Sequence, residues 1–391
     1  MIPLMKNAFL REAETKAALA EFIRAADKLS MGEQCRRFEE AFATYQGRRH
    51  AVLVNSGSSA NLLMLQSLKS LGRLKPGDKV GFSALTWSTN VMPIIQMGFE
   101  PVPVDCEMET LNVSPKTLRE RLDKETVGAF FITNALGFAG DISEIRRICA
   151  ERSIILIEDN CESMDAELAG RKTGSFGHLN TFSTFFSHHI STMEGGIVLT
   201  DDVELYHLCR AIRAHGWTRD LPADTKLFER GTDEHFEAYR FIVPGYNVRP
   251  LELSGAIGRE QLKKLPDFTE IRRRNMALFH SLFGGDERFI IQREHGKSSS
   301  FSFTVILNPE RGEDRDKVFS ALREADIGFR IITGGCFLRH DTIRYYDYDT
   351  VGDIKNAYIV HDRGFFVGNH PFDLTDPIEH FHSVLNQVCR R

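Results

Sequence analysis

The chain has 391 residues, 42% hydrophobic and 26% charged, and a net charge of −5 at neutral pH. This is the composition of a folded globular protein, and the length exceeds what one growing core supports, so a large domain with a smaller companion is expected. The acidic balance disfavours a nucleic-acid partner, because a phosphate backbone calls for a concentrated positive field.

The seven cysteines (35, 106, 149, 161, 209, 336 and 389) are odd in number and lack CxxC or CxC spacing. That argues against a disulfide framework, a zinc site or an iron–sulfur cluster, and for reduced thiols in a cytoplasmic setting. The opening MIPLMKNAFLREAETK has no apolar core of signal-peptide length, and no run of about 18 apolar residues follows, so export and membrane spanning are disfavoured.

In chain order, apolar positions recur every three to four residues in EAETKAALAEFIRAADKLS and again near CRRFEEAFATY, which predicts helices. AVLVNSG reads as a short buried strand, SSANLLMLQSLKSLG as a helix, KVGFSAL as a strand, NVMPIIQMG as a helix and PVPVD as a strand. VGAFFIT, the helix SEIRRICAERS, the strands IILIED and NTFSTF, and GGIVLTDD with the helix ELYHLCRAIRAHG continue the alternation. The pattern predicts an α/β unit over residues 1–250, with a mostly parallel sheet covered on both faces. After GYNVRPLELSG, one long helical stretch to about Leu282 leads into FSFTVIL, VFSALREADIG and FFVGNH, the order of a smaller α+β unit over residues 251–391. The charged stretch PERGEDRDK reads as a solvated loop or helix entry.

Three segments offer chemistry. Asn55-Ser56-Gly57-Ser58-Ser59-Ala60-Asn61 follows a strand and opens a helix, where free N–H groups favour a phosphate; a serine-capped tight turn explains the same letters. Asp159 and Glu162 follow the strand Ile154–Ile157, at the carboxyl end where parallel sheets build ligand sites, although a helix cap is an equal reading. A buried aspartate of this kind keeps a pyridine nitrogen protonated by charge pairing. The tandem His188-His189 before Gly195-Gly196 fits metal ligands, a general base with its neighbour, or one core and one surface histidine.

In SGSSAN, ILIEDNCES, GRKTGSFG, SHHISTMEGG and GYNVRPLELSGAIGREQL the chain resembles the DegT/DnrJ/StrS group of nucleotide-sugar aminotransferases over nearly its whole length. The resemblance implies the aspartate aminotransferase-like fold type I, a large domain with a smaller C-terminal one, and pyridoxal 5'-phosphate as cofactor. In that family a lysine placed eight residues before the second glycine of the Gly-Gly pair forms a Schiff base with the cofactor; here His188 stands there. An imidazole has no amine to make that bond, so non-covalent binding, as pyridoxamine 5'-phosphate, is implied.

With RAHGWTRD and PGYNVRPLE, the histidine resembles the subgroup that removes the 3-hydroxyl of a GDP-linked 4-keto-6-deoxy sugar on the route to colitose. The resemblance then implies glutamate as amino donor, His188 as base and release of ammonia. It assigns Gly57, Ser58 and Ser183 to the cofactor phosphate, Trp87 to ring stacking and Asp159 to the ring nitrogen. Glu162 is implied in proton traffic and Ser187 in substrate or cofactor contact. Asn247 reaches the phosphate from the second subunit of a homodimer, while His215, Arg219 and Arg330 lie near the nucleotide sugar. Cys336 stands where an asparagine is familiar, a departure that bears on sugar specificity. The competing expectations are an aminotransferase using Lys172, a non-catalytic cofactor-binding protein, and a metal hydrolase built on His188, His189 and His215.

Overall fold

The computed structural model describes residues 2, 4, 9, 12–345 and 354–389. Half of the opening segment MIPLMKNAFLREAETK therefore lies outside the described residues. Two main sheets organise the chain. The larger contains β1 (His50–Val54), β2 (Lys79–Ser83), β3 (Glu100–Val104), β4 (Ala129–Thr133) and β5 (Ile155–Asp159). After a small hairpin of β6 (Glu167–Leu168) and β7 (Arg171–Lys172), β8 (Leu179–Ser183) and β9 (Gly196–Thr200) complete it in the order β1-β9-β8-β5-β4-β2-β3. From β8 to β3 the neighbours run parallel; β9 alone is antiparallel to both of its neighbours.

Strand periodicity explains the layers. Along β4, Ala129 and Phe131 point into one core and Phe130 and Ile132 into another, each under its own set of helices. Helices Gly57–Ser70 and Val203–Ile212 cover the first face; Pro115–Leu122 and Ile142–Glu151 cover the second. The second sheet has the order β10-β11-β13-β12, built from β10 (Phe289–Ile291), β11 (Ser302–Leu307), β12 (Phe329–Arg330) and β13 (Gly364–Gly368). Its core also takes Phe279 and Phe283 of helix Leu265–Phe283 and Phe381 of helix Thr375–Val388.

The long helical stretch expected up to Leu282 is two helices, Glu252–Leu262 and Leu265–Phe283. Pro266, in the first turn of the second, has no N–H for the ladder of a continuous helix and is tolerated only at a fresh start. Glu252 ties the first of these to the N-terminal region: its carboxylate accepts from Gly32 N at 2.6 Å and Gln34 N at 2.5 Å, capping helix Glu33–Gln46, whose N-cap glycine lacks a side chain to do so. No helix among the described residues is long and apolar enough to cross a membrane.

Candidate active site

Because β1 and β8 both run antiparallel to β9, and β5 runs parallel to β8, the segments that leave β1, β5 and β8 emerge at one edge of the large sheet. A cavity of about 350 Å³ opens there, closed on the far side by Phe301, Arg330, Phe366, Asn369 and His370 from the region of the small sheet. Gly57, Ser58, Trp87, Asp159, Glu162, Ser183, Ser187, His188 and Arg330 line it together.

The first wall is the helix beginning at Gly57. Ser56 is its extended N-cap and accepts the Ser59 N–H at 3.0 Å, which leaves the N–H groups of Gly57 and Ser58 without an intrahelical acceptor. Gly57 is required by space: a Cβ there would lie 2.9 Å from Cys161 Sγ and 2.9 Å from Ser183 Cβ. Gly196 is required likewise, since a Cβ on it would meet the Ser56 carbonyl oxygen at 2.2 Å. The close approach of β8, β9 and the helix start produces a cradle of free N–H groups and the Ser183 hydroxyl at the positive end of a helix, the donor set that suits a phosphate.

Asp159 ends β5, 5% exposed, and accepts from Asn61 Nδ2, Asn90 Nδ2 and Cys161 N, each at 2.8 Å. Three residues on, Glu162 takes the Leu136 N–H at 3.0 Å. Burial, with a smaller push from the Asp159 charge, raises the Glu162 carboxyl to about 7. Trp87, 55% exposed, also lines the cavity, and its indole offers the broad aromatic surface on which a ring can stack.

The two histidines have separate environments. His188 lies edge-on between Phe185 and Phe301, with ring centroids 5.8 and 5.4 Å away and interplanar angles of 84° and 86°. Its Nδ1 is buried and has no hydrogen-bond partner of ordinary geometry among the described residues. Loss of solvent pushes the ring down to about 4, against a smaller upward pull from Asp159, so the imidazole is neutral at physiological pH. His189 is fully buried, its Nε2 2.8 Å from the Ser299 carbonyl, and burial drives it well below the ordinary histidine range. It is a neutral anchor between the histidine loop and the segment before β11.

Asn247, His215 and Arg219 do not line this cavity. The segments carrying the first two are joined by an Ala214–Asn247 bridge, with His215 N donating to the Tyr246 carbonyl at 2.8 Å. Arg219 packs 3.8 Å over the Trp217 ring and lines a smaller cavity of about 110 Å³ with Lys28, Arg36, Arg210 and Arg213. Lys172 is engaged elsewhere, 2.7 Å from Asp165 Oδ1 and 3.3 Å over the Tyr45 ring; no lysine is among the cavity's described lining residues. Nor do the described residues contain a group of three or more His, Cys, Asp or Glu side chains arranged for a metal ion. The Cys336 side chain is fully buried in the core of the small sheet, under the Leu85 bridge, and does not reach the cavity surface.

Several lining residues escape sequence reasoning. Asn90 precedes Asp159 by 69 positions, and Phe301, Asn369 and His370 come from the far half of the chain. The nearest signal was Asn90 itself, in SALTWSTN beside Trp87.

A phosphate cradle, a carboxylate that neutral donors hold among the described residues and an exposed indole, at the carboxyl edge of this sheet, fit pyridoxal phosphate and define a vitamin B6-dependent enzyme, here with histidine where a lysine anchors the cofactor. The chain belongs to the DegT/DnrJ/EryC1/StrS aminotransferase family, whose model matches residues 10–385. It is 42% identical over 366 residues to a GDP-4-keto-6-deoxy-D-mannose 3-dehydratase of Yersinia pseudotuberculosis, covering 93% of each chain. A protein of the same name from Escherichia coli O55:H7 is 44% identical over 360 residues, 91% of this chain and 92% of the relative. Two crystal structures of GDP-4-keto-6-deoxymannose-3-dehydratase superpose with TM-scores of 0.94 at 40% identity, covering 98% of this chain and all of theirs. One is a histidine-to-asparagine variant with bound GDP-perosamine, and the other holds a trapped PLP–glutamate geminal diamine.

Proposed function

We infer that this chain is a pyridoxal/pyridoxamine phosphate-dependent lyase that removes the 3-hydroxyl of a nucleotide-linked 4-keto-6-deoxy sugar, with glutamate as amino donor and ammonia as a product. GDP-4-keto-6-deoxy-D-mannose is the substrate the relatives favour. The observation that carries the reading is His188: a neutral imidazole lining the cavity with Asp159, Trp87 and Ser183, with no lysine among the described lining residues.

When bound, the cofactor supplies an electron sink and a primary amine that reacts with the sugar ketone. Gly57, Ser58 and Ser183 would hold its phosphate, Trp87 would stack on its ring and Asp159 would pair with the ring nitrogen. His188 holds and moves the proton at its ring nitrogen, accepting it as a neutral base and returning it to the departing 3-oxygen. A lysine would capture the cofactor aldehyde by its primary amine and release an amino sugar. Imidazole has no such amine, so nitrogen leaves as ammonia after the oxygen is gone. Glu162, protonated up to about pH 7, is a donor beside that proton path. Ser187 and Arg330 line the substrate side; no ion pair to Arg330 is found among the described residues, which leaves its guanidinium open to a phosphate or sugar oxygen.

The working unit in this reading is a homodimer in which the partner subunit's Asn247, the partner subunit's His215 and the partner subunit's Arg219 complete each cavity. Their position outside the cavity of their own chain supports it, as does the cationic pocket in which Arg219 stands. Phe236, Tyr239 and Phe241, 59%, 70% and 57% exposed on the segment between His215 and Asn247, are further surface for such a contact. A nucleotide-sugar substrate and seven unpaired thiols fit a cytoplasmic enzyme.

The test is a mass spectrum of the product after incubation with pyridoxal phosphate, glutamate and GDP-4-keto-6-deoxymannose. Loss of one oxygen with release of ammonia and 2-oxoglutarate is expected; nitrogen retained on the sugar would overturn the reading.

A further inference from the structure

Asp159 is buried at the end of β5, and no lysine or arginine forms an ion pair with it among the described residues. Its carboxylate is held by neutral groups from other elements. Asn61, in helix Gly57–Ser70, and Asn90, in the 3-10 turn Ser88–Asn90, both donate through Nδ2 to Oδ2 at 2.8 Å. Oδ1 accepts the Cys161 N–H at 2.8 Å. A carboxylate oxygen offers two lone-pair positions. Oδ2 is thereby filled, and Oδ1 has one further position; the Cys161 thiol, which burial and this carboxylate keep protonated, is a neutral neighbour of the pair.

The orientation of Asn61 is itself fixed. Thr181, paired with Asp159 across β5 and β8, donates its hydroxyl to Asn61 Oδ1 at 2.6 Å. An Asn61 amide turned end for end would set its oxygen against the acceptor-only carboxylate, so Asp159 selects the NH₂ end, and the Thr181 hydroxyl satisfies the buried Oδ1 at the other end. Asn61, Asn90 and Thr181 are 1%, 0% and 0% exposed. At such burial a misoriented amide has no water to turn to. Asn90 Oδ1 has no partner among the described residues, so the bond this side chain makes there is from its donor end.

We propose that Asn61, Asn90 and Thr181 are positioning residues that fix the Asp159 carboxylate so that Oδ1 is the acceptor presented to the protonated ring nitrogen of the cofactor. Amides suit this task where an arginine would not. They orient the carboxylate without neutralising it, leaving its full charge for the pyridinium. The need is acute in a chain with no covalent anchor, where the ring contacts set both how tightly the cofactor stays and how well the ring withdraws electrons. The proposal rests on the reading that Asp159 faces the ring nitrogen, and it is independent of which sugar is processed.

The test titrates bound pyridoxamine phosphate by absorbance and fluorescence with no sugar present, in the wild type and in Asn90→Ala, Thr181→Val and Thr181→Ser. Thr181→Val keeps shape and loses only the hydroxyl; Thr181→Ser keeps the hydroxyl. In Asn90→Ala and Thr181→Val the ring nitrogen is expected to lose its proton about one pH unit earlier, and the cofactor to dissociate about tenfold more readily. Thr181→Ser should restore both, and kcat should fall in the two impaired variants with KM for the sugar unchanged. Folded Asn90→Ala and Thr181→Val proteins with wild-type titration midpoint and cofactor affinity would overturn the proposal. Should Asn90→Ala not fold, the Thr181→Val and Thr181→Ser pair decides alone: a difference supports the positioning role, and identical titrations overturn it. A chain that binds the cofactor this way and dehydrates nothing would still show the shift, so failure of the proposed reaction is seen separately.

Discussion

Replacing Gly57 by alanine tests whether the cradle works through close approach. The new methyl would lie 2.9 Å from Cys161 Sγ and 2.9 Å from Ser183 Cβ. Comfortable carbon contacts are about 3.5–4.0 Å, so the helix start must retreat from β8 by roughly half an ångström or more. Overpacking of this kind costs about 1–3 kcal/mol. The φ of Gly57 is not positive, and alanine is the better helix former by up to about 1 kcal/mol, so global stability should change little. The strain concentrates where the Gly57 N–H and the Ser183 hydroxyl must converge on one phosphate. If about 1–2 kcal/mol of it is felt on binding, the Kd for pyridoxamine phosphate rises roughly 5- to 30-fold. Fluorescence titration of the cofactor-free protein, with thermal unfolding in parallel, measures both quantities. A Gly57→Ala protein that binds pyridoxamine phosphate as tightly as the wild type would refute the argument.

Glu162 is held in its neutral form until about pH 7 and His188 is neutral above about pH 4, so kcat/KM should describe a bell between those limits. Glu162→Gln keeps a donor and cannot ionise, and the alkaline limb should vanish from its pH profile; an unchanged limb assigns it to another group. Lys172→Ala should leave the spectrum of bound cofactor unaltered and lower stability by about 3 kcal/mol, since it leaves the buried Asp165 carboxylate without the ammonium beside it; loss of a cofactor band would restore lysine chemistry. Mixing inactive His188→Asn and Arg219→Ala chains should recover about a quarter of wild-type turnover, because a shared-site dimer makes one intact cavity in each mixed pair. No recovery would place Arg219 outside the partner's site.

Much of the large sheet was legible because its strands are short apolar runs set between helical periodicities, from AVLV to GIVLT. Within the site, residues that follow strand ends, such as Gly57, Asp159 and Ser183, announce themselves by position, since the carboxyl edge of a parallel sheet is where ligands sit. The break at Pro266 is masked by amphipathic periodicity that continues on both sides of it, although proline itself signals a fresh helix start. What could not be read are side chains whose role depends on distant register. Thr181 matters because β5 and β8 align it with Asp159, and Phe301 matters because the small sheet folds back over His188. The separate fates of His188 and His189 follow from one facing the cavity and its neighbour facing the core, a difference invisible in a dipeptide.

The most direct measurement on His188 as the proton-transfer group is single-turnover dehydration by His188→Asn loaded with pyridoxamine phosphate. Asparagine is smaller but polar and neutral and cannot carry the proton, so cofactor affinity should be retained while the rate of oxygen loss falls by about 10²–10⁴-fold. A variant that binds the cofactor and dehydrates the sugar at the wild-type rate would contradict the account.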